Sequence, residues 1–540
     1  MQGLMQEHGL LISSIIRHAA ENHGERDIVS RQADGSLHRT HYRGVESRSR
    51  RLAAALLQLG IGRGDRVATL AMNSFRHLEC FYGISGMGAV LHTVNPRLFE
   101  DQIVYILNHA QSRVLLFDPV FGPLIEKIAS QLTAIETLIA LAERASMPTC
   151  SPAWLCYEEL LETASDHFQW PLLDERAASS LCYTSGTTGE PKGVLYSHRS
   201  TLLHALATLQ PDSFGLRSVD VVLPVVPMFH VNAWSTPYGC AMSGAKLVLP
   251  GNHLDAPSLV ELIQRERVTF ALGVPTVWSK IINHLNDTGE RVPTLERALI
   301  GGSALPPGLH ATLEQTYGVR PIHAWGMTEI SPIGTVASTT GLLEELPTEV
   351  RTAKLLSQGR PSWGMELKVT DHDGNIIPMG SNATGLLWAR GPWVASSYFK
   401  REEEGLLDAD GWFPTGDVAT RDAHGFVKIT DRTKDVIKSG GEWISSIDIE
   451  NAAMLHPRVR FAAAVGVYHP KWDERPVLIV VPTEEPSPTA DELLEFLRPR
   501  MAKWWLPDAV IFVRELPQTA TGKVLKARLR ADYRHYLHQS

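Results

Sequence analysis

The chain has 540 residues, 44% of them hydrophobic, and a formal net charge of −8 at neutral pH. This length exceeds what a single core accommodates, so we expect several globular domains of ordinary soluble composition. The acidic balance argues against nucleic acid as a bulk electrostatic partner, although it allows a local basic site for an anionic cofactor.

The cysteines and the chain ends exclude several further classes. The five cysteines are odd in number and lack CxxC spacing, which predicts neither a disulfide framework nor a zinc site, but reduced thiols in a cytoplasm. The apolar run 10–16 is too short and too interrupted for a membrane span or a secretory signal. We expect it to begin a helix or to pack at an interface. The last residues, 538–540, carry no peroxisomal or retention signal.

Strand-like and helix-like segments alternate through the first two-thirds of the chain. This alternation predicts parallel sheets covered by helices, an α/β fold with multiple sheets. In such sheets, ligands bind at loops beyond the carboxyl ends of strands. The predicted strands are 66–72, 180–182, 193–196, 219–226, 246–249, 269–272 and 299–300, and 111–117 is predicted as the end of a helix followed by a strand. The predicted helices include 258–266 and 276–285.

The stretch 183–193 lies between two predicted strands and is rich in glycine and hydroxyl residues. Its composition can direct backbone N–H groups and hydroxyls at a phosphate chain, and Lys192 adds a mobile positive charge. The spacing is not that of a Walker A loop, because Glu190 and Pro191 separate Gly189 from Lys192. Taken alone, the stretch could also be a flexible surface loop. The residues that would bind phosphate are Thr184, Ser185, Gly186, Thr187, Thr188, Gly189 and Lys192.

The pattern changes near residue 363. Short strands at 366–371, 385–390 and 425–430, with turns between them, predict a small β-rich subdomain over about 360–430. The charged run 431–435 by itself is typical of a solvated turn. The last hundred-odd residues predict helix, strand, strand, helix, strand, helix, with a capping box from Thr489 to Glu492.

Four more segments follow the 183–193 stretch in order: 326–329, 411–417, 431–442 and 517–523. Together the five segments resemble the signature motifs of the adenylate-forming superfamily, which comprises acyl-CoA synthetases, luciferases and the adenylation domains of peptide synthetases. Chance is a poor explanation, because the motifs keep their order over about 340 residues. The chain looks most like the fatty-acyl-CoA synthetases of medium- and long-chain type.

The resemblance implies a domain plan and a reaction. Residues 1–430 would form the adenylation domain, 431–435 the hinge with Lys434 as the hinge residue, and 436–540 a small mobile C-terminal domain. The expected reaction joins a carboxylic acid to CoA through an acyl-adenylate, with ATP, Mg²⁺ and coenzyme A as cofactors and AMP and pyrophosphate as products. The family also suggests a homodimer.

The resemblance also assigns residues to the nucleotide. The 184–192 loop would hold the β- and γ-phosphates, and Glu329 would bind Mg²⁺ with Thr187 or Thr188. Asp417 and Arg432 would hold the ribose, although Asp417 alone is typical of a turn and Thr328-Glu329 of a helix start. Trp325 stands where the family commonly has tyrosine; it can stack on adenine but brings no hydroxyl. The remaining nucleotide residues are Gly302, Ser303, Ala324, Gly326, Met327 and Thr328.

Lys523 is the principal catalytic candidate, together with Thr184 and Glu329. By resemblance Lys523 bridges the carboxylate and the α-phosphate during adenylation, whereas a lone lysine at a helix start is usually solvated. Rotation of the C-terminal domain would then bring Gly440-Gly441 to the pantetheine channel, with Lys438 and Glu442 beside them.

The apolar segment 227–234 is the expected acyl pocket, with His230, Val231 and Trp234. Amino-acid-activating members carry an aspartate where His230 stands, so an amino acid substrate is not expected. Trp234 resembles the gate of a fatty-acid tunnel, with His204 and Glu442 as its hydrogen-bonding partners, although a tryptophan here could equally be core. A saturated medium- or long-chain acid fits best, and a short thioether acid such as methylmercaptopropionate is the nearest alternative. Aromatic acids and the loading of an acyl-carrier protein rank lower.

Three other classes remain open from the residues. An inactive scaffold relative is disfavoured because every catalytic position carries a competent residue. A P-loop NTPase is disfavoured by the loop spacing, and a luciferase would need a luciferin pocket and emit light.

Overall fold

The computed structural model of the protein describes all residues except 2, 148–153, 185–189, 382, 402–405, 441, 484–486, 518–523 and 539–540, and only the backbone of Glu442 and His538. Its α-helices are α1 Ile12–Asn22, α2 Tyr42–Gln58, α3 Phe75–Gly86, α4 Glu100–Ala110, α5 Gly122–Ile128, α6 Tyr157–Thr163, α7 His198–Leu209, α8 Thr236–Ser243, α9 Ala256–Glu266, α10 Pro275–Thr288, α11 Pro307–Ala311, α12 Gly341–Glu344, α13 Thr348–Leu356, α14 Ser446–Ala453, α15 Ala490–Leu497 and α16 Lys526–Asp532.

The strands are β1 Asp27–Arg31, β2 Leu37–His41, β3 Arg66–Leu70, β4 Val90–Thr93, β5 Ser112–Phe117, β6 Thr137–Ala140, β7 Leu155–Cys156, β8 Ala178–Tyr183, β9 Gly193–Ser197, β10 Val221–Pro224, β11 Lys246–Leu249, β12 Phe270–Gly273, β13 Arg297–Ile300, β14 Arg320–Gly326, β15 Ile333–Ala337, β16 Arg360–Pro361, β17 Glu366–Thr370, β18 Gly385–Arg390, β19 Phe413–Arg421, β20 Val427–Arg432, β21 Ile437–Ser439, β22 Glu442–Ile444, β23 Val459–His469, β24 Asp473–Pro482 and β25 Ala509–Phe512.

Two large, mainly parallel sheets dominate the first 361 residues. One has the strand order β16-β15-β14-β13-β12-β10-β11-β1-β2, and the other β7-β6-β5-β3-β4-β8-β9. Their central strands are buried on both faces, as in β3 and β4, which explains why these segments are apolar without alternation. The predicted α/β class with multiple sheets is therefore confirmed.

Helices cover both sheets and also separate them. The largest core joins apolar residues of both sheets with those of α1, α2, α3 and α8, so these helices form a layer between the sheets. A second core packs α9 and α10 on the outer face of the nine-stranded sheet. A third packs α4 and α5 on the outer face of the seven-stranded sheet. The run 10–16 indeed begins a helix, and in the described part no helix is long and apolar enough to cross a membrane.

Two smaller sheets follow. β17–β20 form an antiparallel four-stranded sheet, and β18 alternates buried and half-buried residues, which is the change of period seen in the sequence. The last sheet has the order β22-β21-β24-β23 with β25 beside β24, covered by α14 and α15 on one face and α16 on the other. From α14 onward the helix, strand, strand, helix, strand, helix order is as predicted, and the short strands β21 and β22, which were not predicted, precede it.

Side-chain caps mark where several helices begin. Ser74, Ser197 and Asp255 each accept a hydrogen bond from a backbone N–H three residues further along, at the starts of α3, α7 and α9. Thr489 caps α15 in the same way. The Glu492 carboxylate pairs instead with Arg458, so the structure shows only the Thr489 half of the predicted capping box.

Candidate active site

The base of the predicted phosphate loop continues the β8–β9 ladder. The Thr184 N–H donates to the Lys192 carbonyl at 2.9 Å, and the Lys192 N–H donates to the Thr184 hydroxyl at 3.3 Å. The loop therefore starts and ends at one point, beyond the carboxyl end of β8. Ser185, Gly186, Thr187, Thr188 and Gly189 lie outside the described residues, so their phosphate role stays a prediction.

Tyr398 connects this loop to Glu329. The ammonium of Lys192 lies 4.7 Å from the centroid of the Tyr398 ring, and the Tyr398 hydroxyl donates to Glu329 Oε1 at 2.8 Å. Tyr196 of β9 donates to the Thr328 carbonyl at 2.6 Å. Two sequence motifs 137 positions apart, counted from Lys192 to Glu329, thus meet in space.

Glu329 is suited to a hard cation. Its side chain is buried in the 3-10 turn Thr328–Ile330. Carboxylate oxygens are among the hard ligands that Mg²⁺ prefers. Within the described ranges, no group of three or more His, Cys, Asp and Glu side chains could hold a metal. One protein carboxylate fits Mg²⁺ bound mainly through water and substrate phosphates.

Asp417, the predicted ribose ligand, is 2% exposed and is held from two sides. Arg432 Nε pairs with its Oδ1 at 2.6 Å, across the β19–β20 ladder. The indole N–H of Trp325, on β14, donates to its Oδ2 at 2.8 Å. The predicted Asp417–Arg432 neighbourhood is present, and Trp325 contacts the carboxylate directly.

The glycine turn after β13 meets the predicted acyl pocket. A Cβ at Gly301 would lie 3.1 Å from Cη2 of Trp234 and 3.1 Å from the Ala324 carbonyl. Gly302 follows at φ +85°, a conformation that glycine adopts readily, and the Ser303 carbonyl lies 3.4 Å from His323 Nε2. The candidate adenine turn and the candidate acyl gate are therefore adjacent.

Trp234 lies on an unusual left-handed turn. All five residues Val231–Ser235 have positive φ, between 46° and 63°, although none is glycine. Such a conformation costs about 1–2 kcal/mol per residue for L-amino acids, so tertiary contacts must hold it. Asn232 donates to Ser180 Oγ at 3.3 Å, and Thr236 donates to the Ala233 carbonyl at 2.7 Å. His230 lies directly before this turn.

His204 has partners other than the one expected. Its Nε2 accepts from the Ile333 N–H at 3.0 Å, so its Nδ1 carries the proton and donates to Ser235 Oγ at 2.7 Å. Burial lowers the pKa of His204 to about 3, which keeps the ring neutral. Both ring nitrogens are occupied, so in this structure His204 supports the turn that carries Trp234 and does not bond the indole. The predicted His204–Trp234 bond is corrected accordingly.

The predicted hinge is more anchored than its charged sequence indicates. Asp431 is buried, and its Oδ2 accepts from the N–H and the hydroxyl of Ser446 at 2.7 and 2.6 Å. The interpretation of 431–435 as a wholly solvated turn is therefore wrong for Asp431. Lys434 is exposed, and Asp435 pairs with Arg530 at 2.5 Å.

The candidate CoA residues lie on the C-terminal sheet. The N–H of Lys438 donates to Glu474 at 2.9 Å, and Gly440 donates to the Trp472 carbonyl at 2.8 Å. A Cβ on Gly440, at φ +61°, would lie 2.9 Å from the Trp472 ring. Gly441 and Lys523 lie outside the described residues, as does the Glu442 side chain, so their roles stay predictions.

Sequence reasoning missed Tyr398, Tyr196, Ser235 and Trp472. Tyr398 lies in Ser396-Ser397-Tyr398-Phe399, between β18 and β19. The available sequence signal was a pair of aromatic residues in a polar connection.

Gly326 was among the predicted nucleotide residues, and the structure gives a steric reason for glycine at this position. A Cβ there would lie 2.0 Å from the Pro332 carbonyl oxygen.

Comparison with known proteins agrees with this geometry. The AMP-binding enzyme family matches residues 16–399, and the AMP-binding enzyme C-terminal domain matches 448–523. The chain is 51% identical to 3-methylmercaptopropionyl-CoA ligase of Ruegeria lacuscaerulensis, over 99% of this chain and 100% of that one. It is 47% identical to medium-chain-fatty-acid–CoA ligase of Ectopseudomonas oleovorans, covering 99% and 98%.

A solved structure shows the same fold. The anthranilate CoA ligase in complex with anthranoyl-AMP superposes with a TM-score of 0.87 at 24% identity, covering 98% of each chain. The matched domains, the full-length relatives and the order of the motifs lead to one conclusion: the chain belongs to the AMP-binding enzyme family, the adenylate-forming superfamily, as an AMP-forming acyl-CoA ligase.

Proposed function

We propose that this ligase activates a short unbranched acid, with a thioether acid of the 3-methylmercaptopropionate kind as its first candidate. The observation that carries the proposal is the position of Trp234. Its indole is buried, and a Cβ on Gly301 would lie only 3.1 Å from its Cη2, so we infer that the ring closes the acyl pocket to long chains beside the candidate adenine turn. The full-length relative at 51% identity, named for that acid, supports the same choice.

The first half-reaction makes AMP the leaving group on the acid. The carboxylate oxygen attacks the α-phosphorus of ATP, the Pα–O bond to the β-phosphate breaks, and pyrophosphate leaves. Thr184 and Lys192 would hold the phosphates, and Asp417 with Arg432 would hold the ribose. Lys523 would neutralise charge shared by the carboxylate and the α-phosphate, so the chain contributes positioning and electrostatic stabilisation. Glu329 would hold Mg²⁺, which when bound would neutralise charge on the phosphates.

The second half-reaction transfers the acyl group to CoA. The thiolate attacks the acyl carbon, a C–S bond forms, the bond to the AMP oxygen breaks, and AMP leaves. Lys523 is not needed here, so we propose that residues 436–540 rotate about Lys434 and present Gly440-Gly441. Two hydrogen bonds cross this hinge, from Ser446 Oγ to Asp431 at 2.6 Å and from Ser445 Oγ to the Thr430 carbonyl at 2.5 Å. Both would have to open in the rotation.

A medium-chain acid is the second candidate. The relative at 47% identity carries that name, and a buried tryptophan that swings aside would open a longer tunnel. His204 holds the turn that carries Trp234 through its bond of 2.7 Å to Ser235, so such a movement would be a rotation of the indole about its own side-chain bonds.

A matched acid panel separates the two candidates. With ATP, Mg²⁺ and CoA, we would compare 3-methylmercaptopropionate with pentanoate, which has the same chain length with carbon in place of sulfur, and with octanoate and palmitate. Mass spectrometry follows AMP, pyrophosphate and acyl-CoA. We expect the highest kcat/KM for the two five-atom acids. A maximum at octanoate or beyond would overturn the short-acid proposal in favour of the second candidate.

Two further expectations concern the location and the oligomeric state of the protein. We propose a cytoplasmic location, which the unpaired thiols of the described cysteines, Cys80, Cys156, Cys182 and Cys240, support. We also propose a homodimer, which light scattering of the purified protein would test.

A further inference from the structure

The carboxylate of Asp417 is held in one orientation by neighbouring side chains. Its carboxylate is buried and lies between two donors of different kinds, the guanidinium of Arg432 on Oδ1 and the indole N–H of Trp325 on Oδ2. Its own N–H donates to Thr415 Oγ1 at 3.1 Å. A carboxylate has about four acceptor positions, so these two side-chain donors leave about two positions.

Trp325 is a rigid donor. Gly334 lies against its six-membered ring, where a Cβ would be 2.5 Å from Cζ3, and Trp325 belongs to the buried apolar cluster that includes Ile330 and Met365. The backbone is held in β14 opposite Thr335. The indole N–H can donate but cannot accept or lose its proton at ordinary pH, so it serves Asp417 as a donor only.

We propose that Trp325 is a positioning residue that holds Asp417 in the orientation required to accept both ribose hydroxyls of the nucleotide. Trp325 stands on the nine-stranded sheet and Asp417 on the four-stranded sheet, so their bond also fixes one subdomain against the other at the nucleotide site. The two remaining acceptor positions match the two hydroxyls of a cis-diol. A carboxylate already fixed on both sides loses less freedom when the nucleotide binds.

The inference deepens the proposed function, because it rests on Asp417 being the ribose ligand. The test is equilibrium binding without catalysis, by calorimetry, of AMP, 2′-deoxy-AMP and 3′-deoxy-AMP. The native protein is expected to prefer AMP. Trp325→Phe keeps an aromatic ring and loses the N–H, so its AMP affinity should fall by on the order of tenfold, the scale of one hydrogen bond to a charged group. Its affinity for the deoxy analogues should fall less.

Two variants separate the outcomes. Trp388→Phe is the matched control. The Trp388 indole N–H donates to Thr370 Oγ1 at 3.0 Å, and neither residue is among the candidate nucleotide residues, so this variant should leave all three affinities unchanged. Asp417→Asn tests the assignment beneath the inference. If Asp417→Asn retains the full preference for AMP, the ribose role of Asp417 is wrong. If it removes the preference while Trp325→Phe retains it, the role of Trp325 is refuted.

Thermal unfolding shows whether the Trp325→Phe protein is folded. If it is not, benzothienyl-alanine is placed at position 325 instead, because its sulfur replaces the indole N–H with almost no change in volume. The same loss of preference for AMP is expected, and an unchanged preference overturns the inference.

Discussion

Replacing Lys526 tests how α16, which follows Lys523 in the chain, is attached to the hinge. Lys526 begins α16, three residues after Lys523, and its side chain is only 12% exposed. Its ammonium donates to Glu450 Oε1 at 2.6 Å and to Ser446 Oγ at 2.6 Å, and Ser446 in turn donates to Asp431. Although burial alone lowers the pKa of Lys526, Glu450 and Asp431 outweigh it and raise that pKa.

Lys526→Met should destabilise the C-terminal part of the chain. Removing one partner of a buried ion pair typically costs about 3–5 kcal/mol, because the other charge is left unpaired. We expect about 3 kcal/mol, the low end of that range, because Glu450 also accepts from the Ala464 N–H at 2.8 Å and keeps that partner. Burial raises the pKa of Glu450, so the unpaired carboxyl would take up a proton more readily.

Urea unfolding measures this cost, with Arg528→Met as the matched control. Arg528 lies on the same helix, is 70% exposed and reaches Asp532 only at 3.7 Å, so its loss should cost less than about 0.5 kcal/mol. Lys526→Met with Glu450→Gln should recover part of the loss, since neither charge is then unpaired. Additive losses in the double variant would refute the buried-pair reasoning.

The same variant has a kinetic signature. If the fixed start of α16 also positions Lys523, three residues earlier in the chain, Lys526→Met should slow adenylation, measured by pyrophosphate release, more than it slows the conversion of supplied acyl-adenylate to thioester. Lys526→Arg, which keeps the charge, should restore part of the difference. Equal slowing of both half-reactions would show that Lys526 only stabilises the fold.

Four further outcomes are expected. Lys523→Ala should reduce adenylation by at least about 10²–10³-fold while thioester formation from supplied acyl-adenylate persists, and equal loss of both would contradict its role. Trp234→Ala should move the preferred acid toward longer chains in the acid panel, and an unaltered chain-length profile would make this residue merely core. Tyr398→Phe keeps the ring beneath Lys192 but removes the bond to Glu329, so the KM for ATP should rise by about tenfold, and an unchanged KM would count against that link. Burial lowers the pKa of His77 to about 4 from its ordinary 6.5, so between these pH values the unfolded chain binds more protons than the folded one. Stability should therefore fall as the pH drops through this range, by roughly 3 kcal/mol at pH 4. Urea unfolding at several pH values should show a weaker fall in His77→Gln.

Much of the fold was determined by local sequence. Strands such as Lys246–Leu249 and Gly385–Arg390 were predicted with their observed bounds, because apolar runs and alternation reflect burial on two faces or on one. The motifs also identified the family, since the order and spacing of glycines, hydroxyls and charges recur with the chemistry that they serve.

Only the tertiary structure decided how the predicted residues meet. Trp325 and Asp417 are 92 positions apart, and Tyr398 and Glu329 are 69 apart, so no periodicity relates either pair. The sequence marked Trp325 as lacking a hydroxyl, whereas the fold uses its N–H. The charged run 431–435 by itself is typical of a solvated turn, whereas packing of α14 buries Asp431. Local patterns report which faces are buried, but the partner of a buried polar group depends on which strands and helices pack together, and that is decided by long-range contacts.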